Sequence, residues 1–284
     1  MTTAGPYDHV IVGTDGSETA SEAVRRAARL ASRLSVPLTV AVAWYRDVPD
    51  KPVLSELAEW PGDSPGAMAS AWAQDTVADA AAIARTESDL DEVETATPQG
   101  SAPDALIGLA ASSPSALLVV GTVGLGSRAE RFLGNVPHQI THHAPVDVLL
   151  VRTTEPREDG AYTTVTIGTD GSDTAATAVE RGLGFAAAFG ARATLLVATT
   201  DEEEGKRMAA AARSKLPDGE DVDETIVVGA RVTDAILDAA RDVELLVIGN
   251  KGMSGVSLLL GTVANEVTHR VPTDLLLVNT TRRV

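Results

Sequence analysis

The chain has 284 residues, enough for two domains of ordinary size, and 44% of them are hydrophobic, which allows each domain to bury a core. A formal net charge of -17 argues against nucleic acid and anionic membranes as partners, because both are bound by clustered Lys and Arg. The chain contains no cysteine, and residues 1–9 lack a basic region followed by an apolar run. We therefore expect a cytoplasmic protein without disulfides.

One sequence segment occurs twice. Residues 10–20 read VIVGTDGSETA, and residues 165–175 read VTIGTDGSDTA. The ends of the two copies also match, since APVDVLLV at 144–151 corresponds to VPTDLLLV at 271–278. The repeat predicts two homologous domains, and we place them at 1–154 and 162–284 with a linker at 155–161.

Short Val/Ile/Leu runs alternate with Ala-rich segments of helical spacing, which is typical of βαβ units around a parallel sheet. The first copy is predicted to have strands at 8–13, 37–44, 91–97, 116–121 and 146–152 and helices at 17–34, 67–88, 102–112 and 131–143. The second is predicted to have strands at 163–168, 192–199, 222–228, 244–249 and 273–279 and helices at 172–189, 202–216, 231–241 and 261–270. Each domain is therefore expected to be a five-stranded parallel α/β sheet with helices on both faces.

A segment from Tyr45 to about Met68 occurs in the first copy alone. It contains four prolines and Trp60, and it is predicted to be a long loop after the second strand. Loops of this length in compact domains are often functional lids. Trp44 and Trp60 are interpreted as exposed residues with a contact role, and a plain surface loop is the alternative.

The first candidate motif, Thr14-Asp15-Gly16-Ser17, follows the first strand, where open α/β sheets bind ligands. An Asp-Gly turn and a Ser helix cap explain most of this motif by local structure. Asp15 precedes the cap and is repeated as Asp170, so we interpret both carboxylates as candidate ligands for ribose hydroxyls or a metal.

The second candidate motif follows the fourth strand of each copy. Gly121, Gly124 and Arg128 precede Gly134-Asn135-Val136, and Gly249 and Gly252 precede Gly261-Thr262-Val263. Glycines let backbone amides approach an oxyanion, and a helix start adds donors and a favourable dipole. The pattern predicts a phosphate-binding loop in which Arg128, Arg131 and Lys251 supply positive charge. It lacks the Gly-Lys-Ser/Thr ending of a Walker loop.

With these motifs the chain resembles the universal stress protein family over both halves, as a bacterial tandem member of the ATP-binding type. The resemblance implies Rossmann-like domains similar to the adenine nucleotide alpha hydrolases, and ATP as ligand with Mg²⁺ as a candidate cation. It also places adenine near Ala43 and Ala198. The family pattern is Gly, two residues, Gly, nine residues, Gly, then Ser or Thr.

Each copy departs once from that pattern. Asn135 stands where Ser or Thr is expected, and in the second copy eight residues instead of nine separate Gly252 from Gly261. An Asn side chain still donates to phosphate, whereas a deletion is expected to move the loop relative to the helix. We therefore predict that the first site is the better one.

No catalytic or metal-binding residue is predicted. His138, His142 and His143 are interpreted as surface histidines near a helix end, because no Cys or carboxylate cluster accompanies them. The leading prediction is a stress-response sensor or regulator that binds ATP or a related adenine nucleotide. A slow ATP hydrolase, a cyclic AMP binder and a dimerisation scaffold without nucleotide are the alternatives.

The last strands, at 146–151 and 275–278, are candidate pairing edges. The resemblance implies that such strands pair between subunits, which predicts a homodimer. Within a tandem chain, however, the two copies can pair with each other instead, which predicts a pseudo-dimeric monomer.

Overall fold

The computed structural model of the chain describes residues 5–45, 65–90, 92–122, 133–152, 162–217, 222–251 and 260–281. The first half contains β1 (His9–Gly13), α1 (Glu18–Leu34), β2 (Leu38–Ala41), α2 (Pro65–Thr86), β3 (Val93–Ala96), α3 (Ala102–Ala111), β4 (Ala116–Gly121), α4 (Asn135–His143) and β5 (Asp147–Val151). The second half contains β6 (Thr164–Gly168), α5 (Asp173–Phe189), β7 (Arg192–Thr199), α6 (Glu202–Arg213), β8 (Asp223–Val228), α7 (Val232–Ala239), β9 (Leu245–Gly249), α8 (Thr262–Arg270) and β10 (Asp274–Val278). No helix among these residues is long and apolar enough to cross a membrane.

The described strands form one ten-stranded sheet in the order β3-β2-β1-β4-β5-β10-β9-β6-β7-β8. Pairing is parallel within each half, which confirms the predicted α/β fold. The two halves meet where β10 pairs antiparallel with β5, with Leu276 opposite Leu149. The last strands therefore pair within one chain, as in the pseudo-dimeric alternative.

Some predicted boundaries were wrong. β2 ends at Ala41 instead of 44, although Val42 and Trp44 still donate to the Ala96 and Pro98 carbonyls at 3.0 and 3.1 Å. Pro98 has no N–H to return to this ladder, so regular pairing stops there. The helix predicted at 131–143 begins at Asn135, because Gly134 has the extended backbone of an N-cap residue.

The inserted segment of the first half is only partly described. Residues 46–64, including Trp60, lie outside the described residues, and so does the predicted linker at 155–161. Helix α2 begins at Pro65, so the loop predicted to run to Met68 ends earlier. Trp44 is half-buried against the core, and its Nε1 donates to the Thr97 carbonyl at 2.9 Å. Its interpretation as an exposed contact residue was therefore wrong.

Two apolar layers cover the sheet, and both run through the two halves. One layer joins α1 and α2 to α5, and the other joins α3 and α4 to α7 and α8. Leu149 and Leu276 are fully buried in the first layer, and Leu150 and Leu275 are buried in the second. Full burial of a leucine stabilises the fold by about 1.5–3 kcal/mol, so the junction between the halves is core and not a hinge.

Two buried aspartates connect the halves in equivalent ways. Asp147, at the start of β5, accepts from the Tyr7 hydroxyl at 2.9 Å and from the Asn279 backbone N–H at 2.8 Å. Asp274, at the start of β10, accepts from the Tyr162 hydroxyl at 2.7 Å and from the Arg152 backbone N–H at 2.7 Å. Each carboxylate thus joins a tyrosine of its own half to the backbone of the other half. Burial and then the Asp274 charge raise the pKa of Tyr162 well above 10.0, so this hydroxyl stays a donor.

An arginine from the opposite half completes each site, but the two arginines differ in burial. Arg26 is 1% exposed, and its guanidinium donates to Asp274 at 2.6 Å and to Glu22 at 3.2 Å. Its counterpart Arg181 approaches Asp147 at 3.6 Å, with its side chain 33% exposed. A buried ion pair does more to fix geometry than to add stability, and it is costly to break from one side.

We expect Arg26→Ala to lower the free energy of unfolding by about 3–5 kcal/mol, because it leaves Asp274 buried without its cation. Arg181→Ala is the matched control and should cost about 1 kcal/mol or less, because its ion pair is partly exposed. Urea unfolding of both variants measures the difference. Equal losses in the two variants would contradict this account of the junction.

Candidate functional site

The predicted motifs meet at one edge of the sheet. In each half the chain runs outward from the first strand to one side and then crosses back to the other, so the strand order reverses between β1 and β4 and again between β6 and β9. The crevice at the carboxyl ends of such strands is where open α/β sheets bind ligands. Thr14 and Asp15 follow β1, and Gly121 ends β4, so the topology brings the two motifs to the same crevice.

Asp15 organises the turn after β1. Its Oδ1 accepts from the Ser17 backbone N–H at 3.1 Å and from the Ser17 hydroxyl at 2.6 Å, and that hydroxyl caps α1 by accepting from the Ala20 N–H at 3.1 Å. Asp170 Oδ1 accepts from the Ser172 N–H at 3.0 Å in the same way. Local structure therefore accounts for an Asp at this position, a role that the sequence interpretation did not assign to it. Gly16 and Gly171 have φ of 76° and 74°, which glycine adopts without strain.

The described ends of the second motif are joined by a backbone hydrogen bond in both halves. In the first half the Gly134 N–H donates to the Thr122 carbonyl at 2.9 Å, and in the second half the Gly261 N–H donates to the Asn250 carbonyl at 2.9 Å. The start of the following helix is therefore anchored beside the strand end in both halves. The one-residue deletion lies between these anchored ends, and the loop glycines that it was expected to move relative to the helix, Gly124 and Gly252, lie outside the described residues.

Helices α4 and α8 begin without a side-chain cap. Gly134 and Gly261 occupy the N-cap positions in extended backbone conformation, and neither described helix start has a side-chain cap hydrogen bond. Helix α7, which begins after Arg231, is also uncapped. In contrast, α1, α3, α5 and α6 are capped by side chains, those of Ser17, Ser101, Ser172 and Asp201. Uncapped backbone donors together with the helix dipole favour an anion.

Most of the other predicted site residues lie around this crevice. Asn135, Thr262 and Val263 are exposed in the first turns of α4 and α8, and Val136 is half-buried. Ala43 follows β2, and Ala198 lies near the end of β7; both are half-buried. Gly249 ends β9. Gly124, Arg128 and Gly252 lie outside the described residues.

The sequence reasoning did not identify the anchors of the second motif. Thr122 and Asn250 supply the carbonyls that close the loops, and the Asn250 side chain also accepts from the backbone N–H and hydroxyl of Thr280 at 3.0 and 2.9 Å. Their common position directly after a strand-ending glycine was the available signal. Both residues accept the glycine N–H through their backbone carbonyls, which any residue supplies, so the residue types themselves gave no signal.

The histidines of α4 are not simple surface residues. Only His143 among them is exposed, while His138 and His142 are half-buried, and the His138 ring lies beside those of His142 and of His269 in α8. The surface interpretation was therefore wrong for His138 and His142. Among the described residues, no three or more His, Cys, Asp or Glu side chains are arranged to hold a metal ion.

A cavity of about 250 Å³ lies between α5 and the end of α6, and Thr169 and Ser172 of the turn after β6 are among its lining residues. Its walls include Val179, Leu183 and Lys215. Lys215 donates to Asp173 at 2.8 Å and to the Gly171 carbonyl at 2.6 Å, so its charge is used within the fold. The cavity is lined by none of the predicted site residues.

Comparison with known proteins gives concordant matches. A family model described as "Universal stress protein family" matches residues 6–152 and 161–279. Universal stress protein Rv1636 of Mycobacterium tuberculosis H37Rv is 36% identical over 148 residues, which are 52% of this chain and 98% of that protein.

Two solved structures are also similar. A universal stress protein from Archaeoglobus fulgidus DSM 4304 has a TM-score of 0.69 over 96% of this chain and 99% of its own, and its 14% identity makes this a likeness of fold. A universal stress protein in complex with cAMP is 30% identical and covers 52% of this chain and 98% of its own, with a TM-score of 0.37.

The turn at Asp15 yields a test of its structural role. We expect Asp15→Ala to lower the free energy of unfolding by about 1–2 kcal/mol, because the Ser17 N–H and hydroxyl lose their acceptor. Asp15→Asn keeps an acceptor oxygen and should unfold within about 0.5 kcal/mol of the original protein. Urea unfolding at neutral pH compares the two. If Asn costs as much as Ala, the carboxylate charge and not the turn requires this residue.

Proposed function

The chain belongs to the universal stress protein family, and from this premise we propose that it binds ATP or a related adenine nucleotide as a stress-response regulator. The observation that carries the proposal is the paired helix start. In both halves an uncapped helix begins at a glycine that is anchored beside a strand end, at the same crevice as an Asp-Gly-Ser turn.

The phosphates would lie at these helix starts. The first backbone N–H groups of α4 or α8 would donate to phosphate oxygens, and the helix dipole would favour their negative charge. Asn135 and Thr262 are exposed in the first turns, where an amide or a hydroxyl can add a further donor. Lys251 is half-buried and directly follows Asn250, whose carbonyl accepts from the Gly261 N–H. It therefore supplies a cation near the second helix start of an otherwise acidic chain.

The nucleoside would lie toward the turn after the first strand. Asp15 and Asp170 are half-buried at the crevice and can accept from ribose hydroxyls or help to hold Mg²⁺. Ala43 and Ala198 are small and half-buried near the ends of β2 and β7, which neighbour β1 and β6, so they leave room for an adenine ring. Bound ATP would bring the chemistry of its phosphate chain, and the residues named here bind and orient it.

Mass analysis of small molecules released by denaturing the purified protein tests the proposal directly. We expect ATP or another adenine nucleotide at about one equivalent per chain, because we predict that the first site is the better one. Calorimetric titration with ATP and Mg²⁺, and separately with cAMP, identifies the preferred ligand if the protein is purified empty. Failure of both titrations on empty protein would leave the scaffold alternative.

Two equivalent substitutions locate the working site. We expect Asp15→Ala to weaken nucleotide binding by about tenfold or more, which corresponds to about 1.4 kcal/mol for a lost hydrogen bond to a charged group. Asp170→Ala is the matched control, because it removes the corresponding turn contact in the second half and should change affinity by less than about threefold. A larger effect of Asp170→Ala would place the working site in the second half.

A further inference from the structure

A cluster of imidazoles joins α4 of the first half to α8 of the second. The ring centroids of His138 and His142 are 4.7 Å apart, and those of His138 and His269 are 5.1 Å apart. His138 and Asn265 occupy equivalent positions in the two halves, and so do His142 and His269. The cluster therefore lies where the two related helices meet.

Asn265 holds two of these rings in place. Its Oδ1 bonds to His142 Nε2 at 3.1 Å, and its backbone carbonyl bonds to His269 Nδ1 at 2.8 Å. Because a carbonyl oxygen accepts, each of these two nitrogens donates a proton that the imidazole has in both its neutral and charged forms. A second proton on either ring thus leaves these bonds intact and acts on the contacts between rings.

The cluster is one helical turn behind both candidate phosphate sites. The His138 backbone N–H donates to the Gly134 carbonyl at 3.0 Å, and the Asn265 N–H donates to the Gly261 carbonyl at 2.8 Å. These bonds close the first turns of α4 and α8. A change in the contact between the helices therefore acts on both helix starts together.

Carboxylates on the packed elements are engaged elsewhere. Glu266 of α8 pairs with Arg231 at 2.8 Å, and Asp234 of α7 pairs with Arg270 at 3.0 Å. Asp238 pairs with Arg241, Asp104 of α3 accepts from Ser101, and Asp147 of β5 accepts from Tyr7. The groups that act on His138 are His142, His269 and His143, which all become positive on protonation.

We propose that His138, His142 and His269 form a proton-sensitive contact between the two halves, in which neutral imidazoles hold α4 against α8 and their protonation loosens the contact. The proposal does not require that a nucleotide binds. Burial and then the neighbouring imidazoles lower the pKa of His138 below its ordinary value of 6.5, so the folded protein resists the proton that the unfolded chain accepts.

The direction of the pH effect follows. Well above pH 6.5 the ring is neutral in both states, and the contact contributes its full stability. As the pH falls below 6.5 toward the lowered folded value, the unfolded chain binds more protons than the folded protein, and stability is lost. The unfolding equilibrium constant rises by about tenfold for each unit by which folding lowers a pKa.

The test compares His138→Asn with the unchanged protein by urea unfolding at pH 7.5 and pH 5.5. Asn is the residue at the equivalent position 265, so the first turn of α4 should accept it. We expect the variant to be no more stable than the original at pH 7.5 and more stable at pH 5.5. His143→Asn is the matched control, because His143 is exposed and its ring centroid is 6.2 Å from that of His142. This control should follow the pH dependence of the original protein.

Histidine titration by NMR gives a second, independent readout. We expect His138 to titrate below its ordinary value of 6.5 in the folded protein, and its midpoint to rise in His269→Asn, which removes one neighbouring charge. The carboxylates of an acidic chain also titrate on acidification, but they do so equally in every variant. Parallel loss of stability in His138→Asn and the original protein, or a His138 midpoint at 6.5 or above, would overturn the proposal.

Discussion

The antiparallel pairing of β5 with β10 is the constraint on which the structure depends. It joins two parallel sheets into one and makes their apolar layers continuous, with Leu149 and Leu276 opposite each other and fully buried. A strand edge in that position would otherwise present unpaired backbone groups. Asp147 and Asp274 fix the register, because each must reach a backbone N–H of the other half.

The junction is polar at its ends and apolar along its length, and the two parts contribute differently to stability and specificity. Apolar burial supplies most of the stabilisation, since it scales with the area removed from water. The aspartates, tyrosines and arginines add specificity instead, because buried polar groups tolerate only arrangements that satisfy them. Even so, Arg26 Nε has no hydrogen-bond partner among the described residues, so this network is not fully satisfied.

The junction also relates the two candidate sites to each other. Because β5 and β10 are central and antiparallel, α4 and α8 lie side by side on one face of the sheet. Their first turns begin at the two candidate phosphate loops, and their histidines meet between the halves. A repeat that would otherwise give two separate sites thus gives two sites that share one contact, which is a physical basis for coupling them.

The sequence by itself determined the repeat, the alternation of strands and helices, and the position of the candidate motifs at strand ends. These are local properties, since the hydrophobic pattern of a strand, the Ser17 cap and the Asp-Gly turn involve neighbours in the chain. It did not determine the end of β2, because that depends on Pro98, which follows the neighbouring strand β3. Nor did it determine that Asp15 holds its own turn. That role follows from the hydrogen bonds that its carboxylate accepts from the Ser17 N–H and hydroxyl.

Only the tertiary structure decided how the halves pair and what the histidines do. The sequence allowed the last strands to pair between subunits or within one chain, and both choices bury the same residues. Likewise, His138 and His269 are 131 positions apart, and the pattern of one helix contains no sign of the other. Contacts of this kind depend on where distant segments are placed by the sheet, so they appear only once the strand order is known.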